Sequence, residues 1–263
     1  MLPIDLAGKR AIVTGASDGI GFGVSQMLAQ AGCDIVGTGT VGAESPRAQR
    51  FLKTVAEAGR QGHYFSGDIA LPETPANIVQ EAVSRLGGID IVVSNAGKNA
   101  FHGTADCTEE QWLHNINLNL ASHWRLAKAA RPYLQQARPG VLIVMGSNHA
   151  YNTIPGCFPY NTTKAGILGL VQALAIEWGP EIRTVGVAPG FIDTPGNQAW
   201  FDSFPDPAAE RVRTEKMHPV GRIGTVEEVG ALCAFLASPY GGFINGNTLL
   251  MDGGRSALMQ DSV

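Results

Sequence analysis

The stretch TGASDGIG, residues 14–21, follows the first apolar run of the chain and opens its first amphipathic segment. Glycines at 15, 19 and 21 allow the backbone to turn sharply and to approach a ligand closely. A helix that starts behind such a turn presents unpaired N–H groups, which suit a pyrophosphate. Its position after a strand makes the turn a strong signal for dinucleotide binding.

Outward from this turn, apolar runs of strand length alternate with amphipathic segments of helix length. The predicted strands are 10–15, 33–38, 63–68, 89–97, 140–147, 182–190 and 247–254. The predicted helices are 19–31, 46–58, 72–86, 108–136, 160–178 and 226–237. The strands are rich in valine and isoleucine with little alternation, which is typical of a parallel sheet buried on both faces. The sequence therefore predicts an α/β fold, a Rossmann-type doubly wound sandwich with a seven-stranded parallel sheet.

No linker or repeat divides the chain, so we expect one domain over residues 1–263. Residues 190–224 lack clear periodicity and are rich in proline, charge and aromatic residues. A loop of this length in a compact domain is usually functional, so we interpret it as a substrate lid, with a disordered insert as the alternative.

Composition excludes several classes of protein. Charged residues make up 16% of the chain and the net charge is −4, with no basic stripe, so no nucleic acid partner is expected. No basic n-region and no membrane-length apolar run is present, which favours a cytoplasmic protein without membrane contact. The four cysteines have no CxxC or metal-ligand spacing, so neither a disulfide framework nor a metal site is expected.

Further motifs follow the glycine turn in a fixed order. They are SNAG at 94–97, NINLNLAS at 115–122, a serine at 147, YNTTK at 160–164, APGFIDT at 188–194 and INGNTLLMDGG at 244–254. Ser147 precedes Tyr160 by thirteen residues. Together with the TGxxxGxG spacing of the turn, these motifs resemble those of the classical short-chain dehydrogenase/reductase (SDR) family over nearly the whole chain. The resemblance implies hydride transfer between a nicotinamide cofactor and an alcohol or ketone.

This reaction also moves a proton to or from the substrate oxygen, which requires a general acid or base. Tyr160 fits the role, because Lys164 lies one helical turn away and its ammonium should favour the phenolate. The resemblance implies that Lys164 also binds the nicotinamide ribose, that Ser147 stabilises the substrate oxygen and that Asn117 holds a water linking Lys164 to solvent. Without the family context, these would be ordinary residues of two helices and a strand end.

The resemblance also implies a set of cofactor-binding residues. They are Gly15, Ser17, Asp18, Gly19, Ile20, Gly21, Thr40, Asp68, Ile69, Asn95, Ala96, Gly97, Tyr160, Lys164, Pro189, Gly190, Ile192 and Thr194. For Asp68, which would meet the adenine edge, helix capping is the structural alternative. Gly39 stands where the family's NAD-binding members carry an acid, so that position does not discriminate between cofactors. We favour NAD over NADP because the Asp18 carboxylate would repel a 2′-phosphate.

Ser147, His149, Tyr160, Phe191 and Trp200 are the predicted substrate-binding residues. The string AGCDIVG at 31–37 resembles the family branch that includes 2-dehydro-3-deoxy-gluconate 5-dehydrogenase and gluconate-type enzymes. An NAD-linked dehydrogenase of a sugar, sugar acid or polyol is therefore the first hypothesis. An NADPH-dependent reductase of the 3-oxoacyl-carrier-protein type and a non-catalytic dinucleotide-binding regulator are the alternatives. A homo-oligomer, tetramer or dimer, is also expected from the resemblance.

Overall fold

The structure, a computed structural model, describes residues 4–258. Its seven strands are β1 (Arg10–Thr14), β2 (Asp34–Gly39), β3 (Gly62–Ser66), β4 (Ile91–Ser94), β5 (Gly140–Met145), β6 (Ile182–Pro189) and β7 (Thr248–Met251). They form one sheet in the order β3-β2-β1-β4-β5-β6-β7, and every neighbouring pair is parallel. The predicted Rossmann-type sheet is confirmed.

Helices cover both faces of the sheet. They are α1 (Gly19–Gln30), α2 (Pro46–Glu57), α3 (Thr74–Leu86), α4 (Glu109–Ile116), α5 (Ser122–Ala137), α6 (Tyr160–Trp178), α7 (Pro195–Phe201), α8 (Pro207–Lys216) and α9 (Val226–Ala237). Side chains of β1 alternate between the two layers: Ala11 and Val13 pack with α1, α2 and α9, whereas Ile12 packs with α3, α5 and α6. Two buried apolar layers therefore hold the sheet.

The predicted helix over 108–136 is interrupted. One turn of π-helix, Asn117–Ala121, separates α4 from α5, and the Ser122 N–H donates to the Asn117 carbonyl five residues earlier. The Ser122 hydroxyl also donates to the Leu118 carbonyl at 2.6 Å. A π-turn adds one residue to the helical repeat, so it rotates the side chains that follow.

Residues 190–224 are not an irregular loop, as the sequence suggested, because they contain α7 and α8. Thr194 and Asp206 cap these helices by accepting backbone N–H groups, and a proline follows each cap. Helices of seven and ten residues are too short to give a clear apolar period.

The order of the strands reverses between β1 and β4, which are neighbours in the sheet although β2 and β3 intervene in the chain. In an open α/β sheet, such a switch point leaves a crevice beyond the carboxyl ends of the strands, where ligands bind. The glycine turn follows β1 and SNAG ends β4, so both motifs meet there. No helix among residues 4–258 is long and apolar enough to cross a bilayer.

Candidate active site

A cleft of about 1250 Å³ lies at this switch point. It is lined by the glycine turn after β1, the carboxyl ends of β4, β5 and β6, the start of α6, and α7. All the predicted site residues line it except Gly21, which lies behind the turn, and Asn117. Residues drawn from opposite ends of the sequence are therefore brought together in one place.

The glycine turn is shaped to approach a ligand. The Asp18 carboxylate caps α1 by accepting the Gly19 N–H at 2.9 Å. Gly21 packs against the turn itself: a Cβ there would collide with the Gly15 carbonyl oxygen and lie 2.7 Å from Asn95 Nδ2. The Thr14 hydroxyl ties the turn to β4 by accepting the Asn95 N–H at 2.8 Å. This compact cradle at a helix N-terminus fits the pyrophosphate of a dinucleotide.

At the end of β2, the space beside Gly39 is already filled. A Cβ on Gly39 would lie 2.5 Å from the Tyr64 hydroxyl oxygen and 2.8 Å from Ser17 Oγ. Burial raises the pKa of Tyr64, so its hydroxyl stays neutral. A larger side chain at this position would therefore displace the Tyr64 hydroxyl or Ser17.

Asp18 is not an isolated carboxylate, as the sequence alone suggested. It lies 3.5 Å from Arg47 Nε and 3.3 Å from Arg50 Nη2. All three side chains are at least partly exposed, so these ion pairs are weak. They nevertheless place two positive charges beside the single negative charge of Asp18.

The Tyr160–Lys164 pair begins α6, and both side chains are buried. Lys164 Nζ lies 5.5 Å from the centroid of the Tyr160 ring and donates to the Met145 carbonyl at 2.9 Å. Burial lowers the pKa of Lys164 to about 7, so near neutral pH it carries only part of a charge.

Burial also raises the pKa of Tyr160 to about 12, although a hydrogen bond with Ser147 opposes the rise. Burial therefore opposes the phenolate that Lys164 is expected to favour. Burial disfavours the charged form of both groups.

Ser147 follows β5, and its hydroxyl accepts the His149 N–H at 3.2 Å. The His149 ring lies 5.9 Å from the Tyr160 ring, centroid to centroid. Burial lowers the pKa of His149, so the imidazole is neutral near pH 7. Its Nδ1 lies 3.2 Å from Thr153 Oγ1 and 3.4 Å from Cys157 Sγ. Ser147, His149 and Tyr160 thus form a continuous polar surface in the cleft.

Asn117 does not face this surface. Its Oδ1 accepts a hydrogen bond from Arg125 Nη2 at 2.9 Å, and the residue lines a separate cavity of about 570 Å³ near Asp68. The prediction that Asn117 serves Lys164 is corrected by this placement.

Asn119 occupies the place expected for Asn117. It is fully buried, and it holds both backbone polar groups of Lys98, at 2.9 and 3.0 Å. A Cβ on Gly97 would lie 2.6 Å from Asn119 Oδ1 and 3.5 Å from Lys164 Nζ, so both groups border the same point. The sequence does not reveal the role of Asn119, because asparagines at 115, 117 and 119 lie in one motif and the π-turn determines which of them faces Lys98.

Aromatic side chains form the opposite wall. Phe191 and Trp200 line the cleft with ring centroids 5.6 Å apart, and Phe204 stacks edge-on to Trp200 at 4.8 Å. The cleft is also lined by residues that are outside the predicted set of cofactor- and substrate-binding residues. They include Lys98, Asn99, Phe101, Arg213, Met217, Arg255 and Ser256. Within residues 4–258, no group of three or more histidine, cysteine or acidic side chains could hold a metal ion.

The fold, the glycine cradle and the adjoining serine, tyrosine and lysine define a nicotinamide-dependent oxidoreductase. The chain belongs to the short-chain dehydrogenase/reductase family: the family model described as enoyl-(acyl carrier protein) reductase matches residues 15–256. It is an NAD(P)-dependent enzyme that acts on CH–OH or keto groups.

Known proteins of several substrate classes resemble the chain. Human dehydrogenase/reductase SDR family member 4 is 34% identical over 95% of this chain and 88% of its own length. The 3-oxoacyl-(acyl-carrier-protein) reductase FabG of Vibrio cholerae is 33% identical over 95% of this chain and 98% of its own length. The structure of aldohexose dehydrogenase from Thermoplasma acidophilum matches with a TM-score of 0.88 at 26% identity, over 98% of each chain.

Proposed function

We propose that the enzyme interconverts a secondary alcohol and a ketone on a small hydroxylated molecule, a sugar, sugar acid or polyol. The observation that carries this proposal is the arrangement of Ser147, Tyr160 and Lys164 together in the cleft. One wall there is polar, with Asn148, His149 and Asn152, and suits several hydroxyl groups. The likeness to an aldohexose dehydrogenase also supports a sugar-like substrate, of the kind handled by the gluconate dehydrogenase-like branch.

In this proposal, Tyr160 transfers the proton and Ser147 holds the substrate oxygen. A bound nicotinamide supplies or accepts the hydride. Because the pKa of Lys164 is about 7, this residue can exchange protons at neutral pH and resupply Tyr160. Asn119 fixes the backbone at Lys98, next to Gly97, whose Cβ position would lie near both Asn119 and Lys164, and it takes the role first assigned to Asn117.

We propose NAD as the cofactor, held by the glycine turn, the end of β4 and the loop after β6. The negative charge of Asp18 at the ribose end supports NAD because it repels a 2′-phosphate, whereas the positive charges of Arg47 and Arg50 beside it oppose this preference. Thr40, at the end of β2, is neutral and offers no cation to a 2′-phosphate.

The second candidate is reduction of a 3-oxoacyl group on a carrier protein. The similarity to the Vibrio cholerae FabG favours it. Against it stand the net charge of −4 and the absence of a basic stripe in the sequence, because an acidic carrier needs a basic docking surface. A purely regulatory role is less consistent with an intact Ser147, Tyr160 and Lys164.

We also propose that residues 190–224 close over the substrate as a lid within a single domain, and that the chain forms a homo-oligomer. Phe191 and Trp200 support the lid because they line the cleft from this segment. Apolar side chains on the outer surface support self-association: Ile176 on α6 is 81% exposed and Phe243 is fully exposed.

The substrate proposal is tested by measuring NAD and NADP reduction with a panel of sugars, sugar acids, polyols and cyclic alcohols, and NADPH oxidation with acetoacetyl thioesters. We expect turnover of at least one hydroxylated compound with NAD, and tighter binding of NAD than of NADP in a titration. Turnover confined to the thioesters would replace the proposal with the second candidate. Tighter NADP binding would contradict the cofactor assignment.

Two neighbouring asparagines provide a matched pair of variants. Asn119→Ala should lower kcat by roughly tenfold to a hundredfold, because two buried hydrogen bonds that fix the backbone beside Lys164 are lost. Asn117→Ala removes only the contact with Arg125 and should leave kcat close to that of the wild type. Steady-state kinetics of the two variants at equal cofactor saturation gives the comparison. A larger loss in Asn117→Ala would restore the first assignment.

A further inference from the structure

Arg255 is a cation in the cleft without a protein partner among residues 4–258. It lies on a short 3₁₀ turn, Arg255–Ala257, after β7, and it lines the same cleft as Ser147 and Tyr160. Its side chain is partly buried, yet its guanidinium makes no hydrogen bond or ion pair to any described residue. A guanidinium offers five N–H donors, and no described residue accepts from any of them.

The turn that carries Arg255 is held firmly. The buried Asp252 carboxylate accepts the Gly254 N–H at 3.0 Å and the Ser256 N–H at 2.8 Å. Asn152 Nδ2 donates to the Ser256 carbonyl at 3.1 Å, which ties the turn to the segment that follows Ser147. The position of Arg255 is therefore fixed relative to the catalytic serine.

The charged side chains nearest in the fold do not form an ion pair with Arg255 among residues 4–258. Asp252 is occupied by the backbone of its own turn, and Arg213 on α8 is paired with Glu210 at 2.8 Å. Burial lowers the pKa of Arg255, the Arg213 charge adds to the effect, and Asp252 opposes it. His149, which also lines the cleft, is neutral. A partly desolvated guanidinium in this setting gains most from an anionic ligand.

We propose that Arg255 binds a carboxylate of the substrate, so that the substrate is a hydroxy acid or the corresponding oxo acid. This inference rests on the proposed function and narrows its substrate class. A planar carboxylate can accept two parallel N–H bonds from one guanidinium. The acid group would then lie at the C-terminal turn, while the reacting carbon faces Ser147 and Tyr160.

The test compares acids with neutral alcohols of the same carbon skeleton: D-gluconate with D-glucitol, and 3-hydroxybutyrate with 1,3-butanediol. The wild type should prefer the acid of a pair. In Arg255→Gln, kcat/KM for that acid should fall roughly tenfold to a hundredfold, mainly through a higher KM, because a charge-assisted hydrogen bond is lost. Arg255→Lys should retain part of the preference. Arg85→Gln, which removes an arginine paired with Glu81 on the outer face of α3, is the matched control.

The outcomes separate this inference from the function on which it rests. Equal turnover of acid and alcohol in the wild type, or an unchanged ratio in Arg255→Gln, overturns the role of Arg255 and leaves the proposed function standing. If no compound of either kind reacts, the proposed function fails. The role of Arg255 in binding a carboxylate is then tested by measuring the thermal unfolding temperature in the presence of NADH, with and without gluconate. Gluconate must then stabilise the wild type but not Arg255→Gln, and equal shifts in both overturn the inference.

Discussion

Tyr160→Phe should lower turnover by roughly 10²- to 10⁴-fold, the usual contribution of a positioned proton-transfer group. The variant removes one hydroxyl from a side chain that is 8% exposed and keeps the buried aromatic ring at the start of α6. The glycine cradle is untouched, so NADH should bind with nearly the wild-type affinity. Single-turnover rates and NADH fluorescence titrations measure the two effects separately.

Tyr240→Phe is the matched control for this change, because Tyr240 is 47% exposed on a 3₁₀ turn outside the cleft. It should behave as the wild type in both measurements. Full activity in Tyr160→Phe would contradict the mechanism. A loss of NADH binding equal to the loss of turnover would show that the hydroxyl holds cofactor rather than moving a proton.

Gly21→Ala should abolish detectable NADH binding and destabilise the fold by roughly 1–3 kcal/mol, because a methyl group there meets backbone that cannot move aside. The Gly15 carbonyl and the Asn95 side chain occupy the space, so the turn must open or α1 must shift. Either movement breaks the cradle. Chemical denaturation gives the free energy of unfolding, and fluorescence titration gives the affinity for NADH.

Gly169→Ala is the matched control, since Gly169 is also helical but has no atom within 4 Å of its Cβ position. There the change should stabilise the chain by about 1 kcal/mol through helix propensity and leave NADH binding unaltered. If both variants bind NADH as the wild type does, the close packing of Gly21 has no part in forming the cradle.

The fold could be predicted because its signals are local. Valine-rich strands with little alternation require cover on both faces, and a glycine turn between β1 and α1 fixes where the ligand end lies. The pairing of Tyr160 with Lys164 follows from helical spacing alone, so it too was visible in the sequence.

The π-turn explains why the asparagine was misassigned. A one-residue insertion in the helical repeat leaves no mark in composition or hydrophobic period, yet it decides that Asn119 rather than Asn117 turns toward Lys98. Arg255 was missed for a different reason. The C-terminal turn reaches the cleft only through the fold, by its bond to Asn152 about a hundred residues earlier in the chain.

The pKa values of Tyr160 and Lys164 depend on burial, which spacing cannot reveal. The sequence predicts that the Tyr160 and Lys164 side chains lie close together, and this proximity predicts an electrostatic attraction between the phenolate and the ammonium. How far each is removed from water depends on the layers packed around α6, and this removal determines both shifts.

The filled space beside Gly39 sets a condition for redesign. Introducing an aspartate at the end of β2 is an obvious way to make a dinucleotide enzyme select NAD. In this chain, the Tyr64 hydroxyl and Ser17 already occupy that volume. An acid introduced there would displace one of these two hydroxyl groups, so a change of cofactor choice at this position is coupled to the side chains at positions 17 and 64.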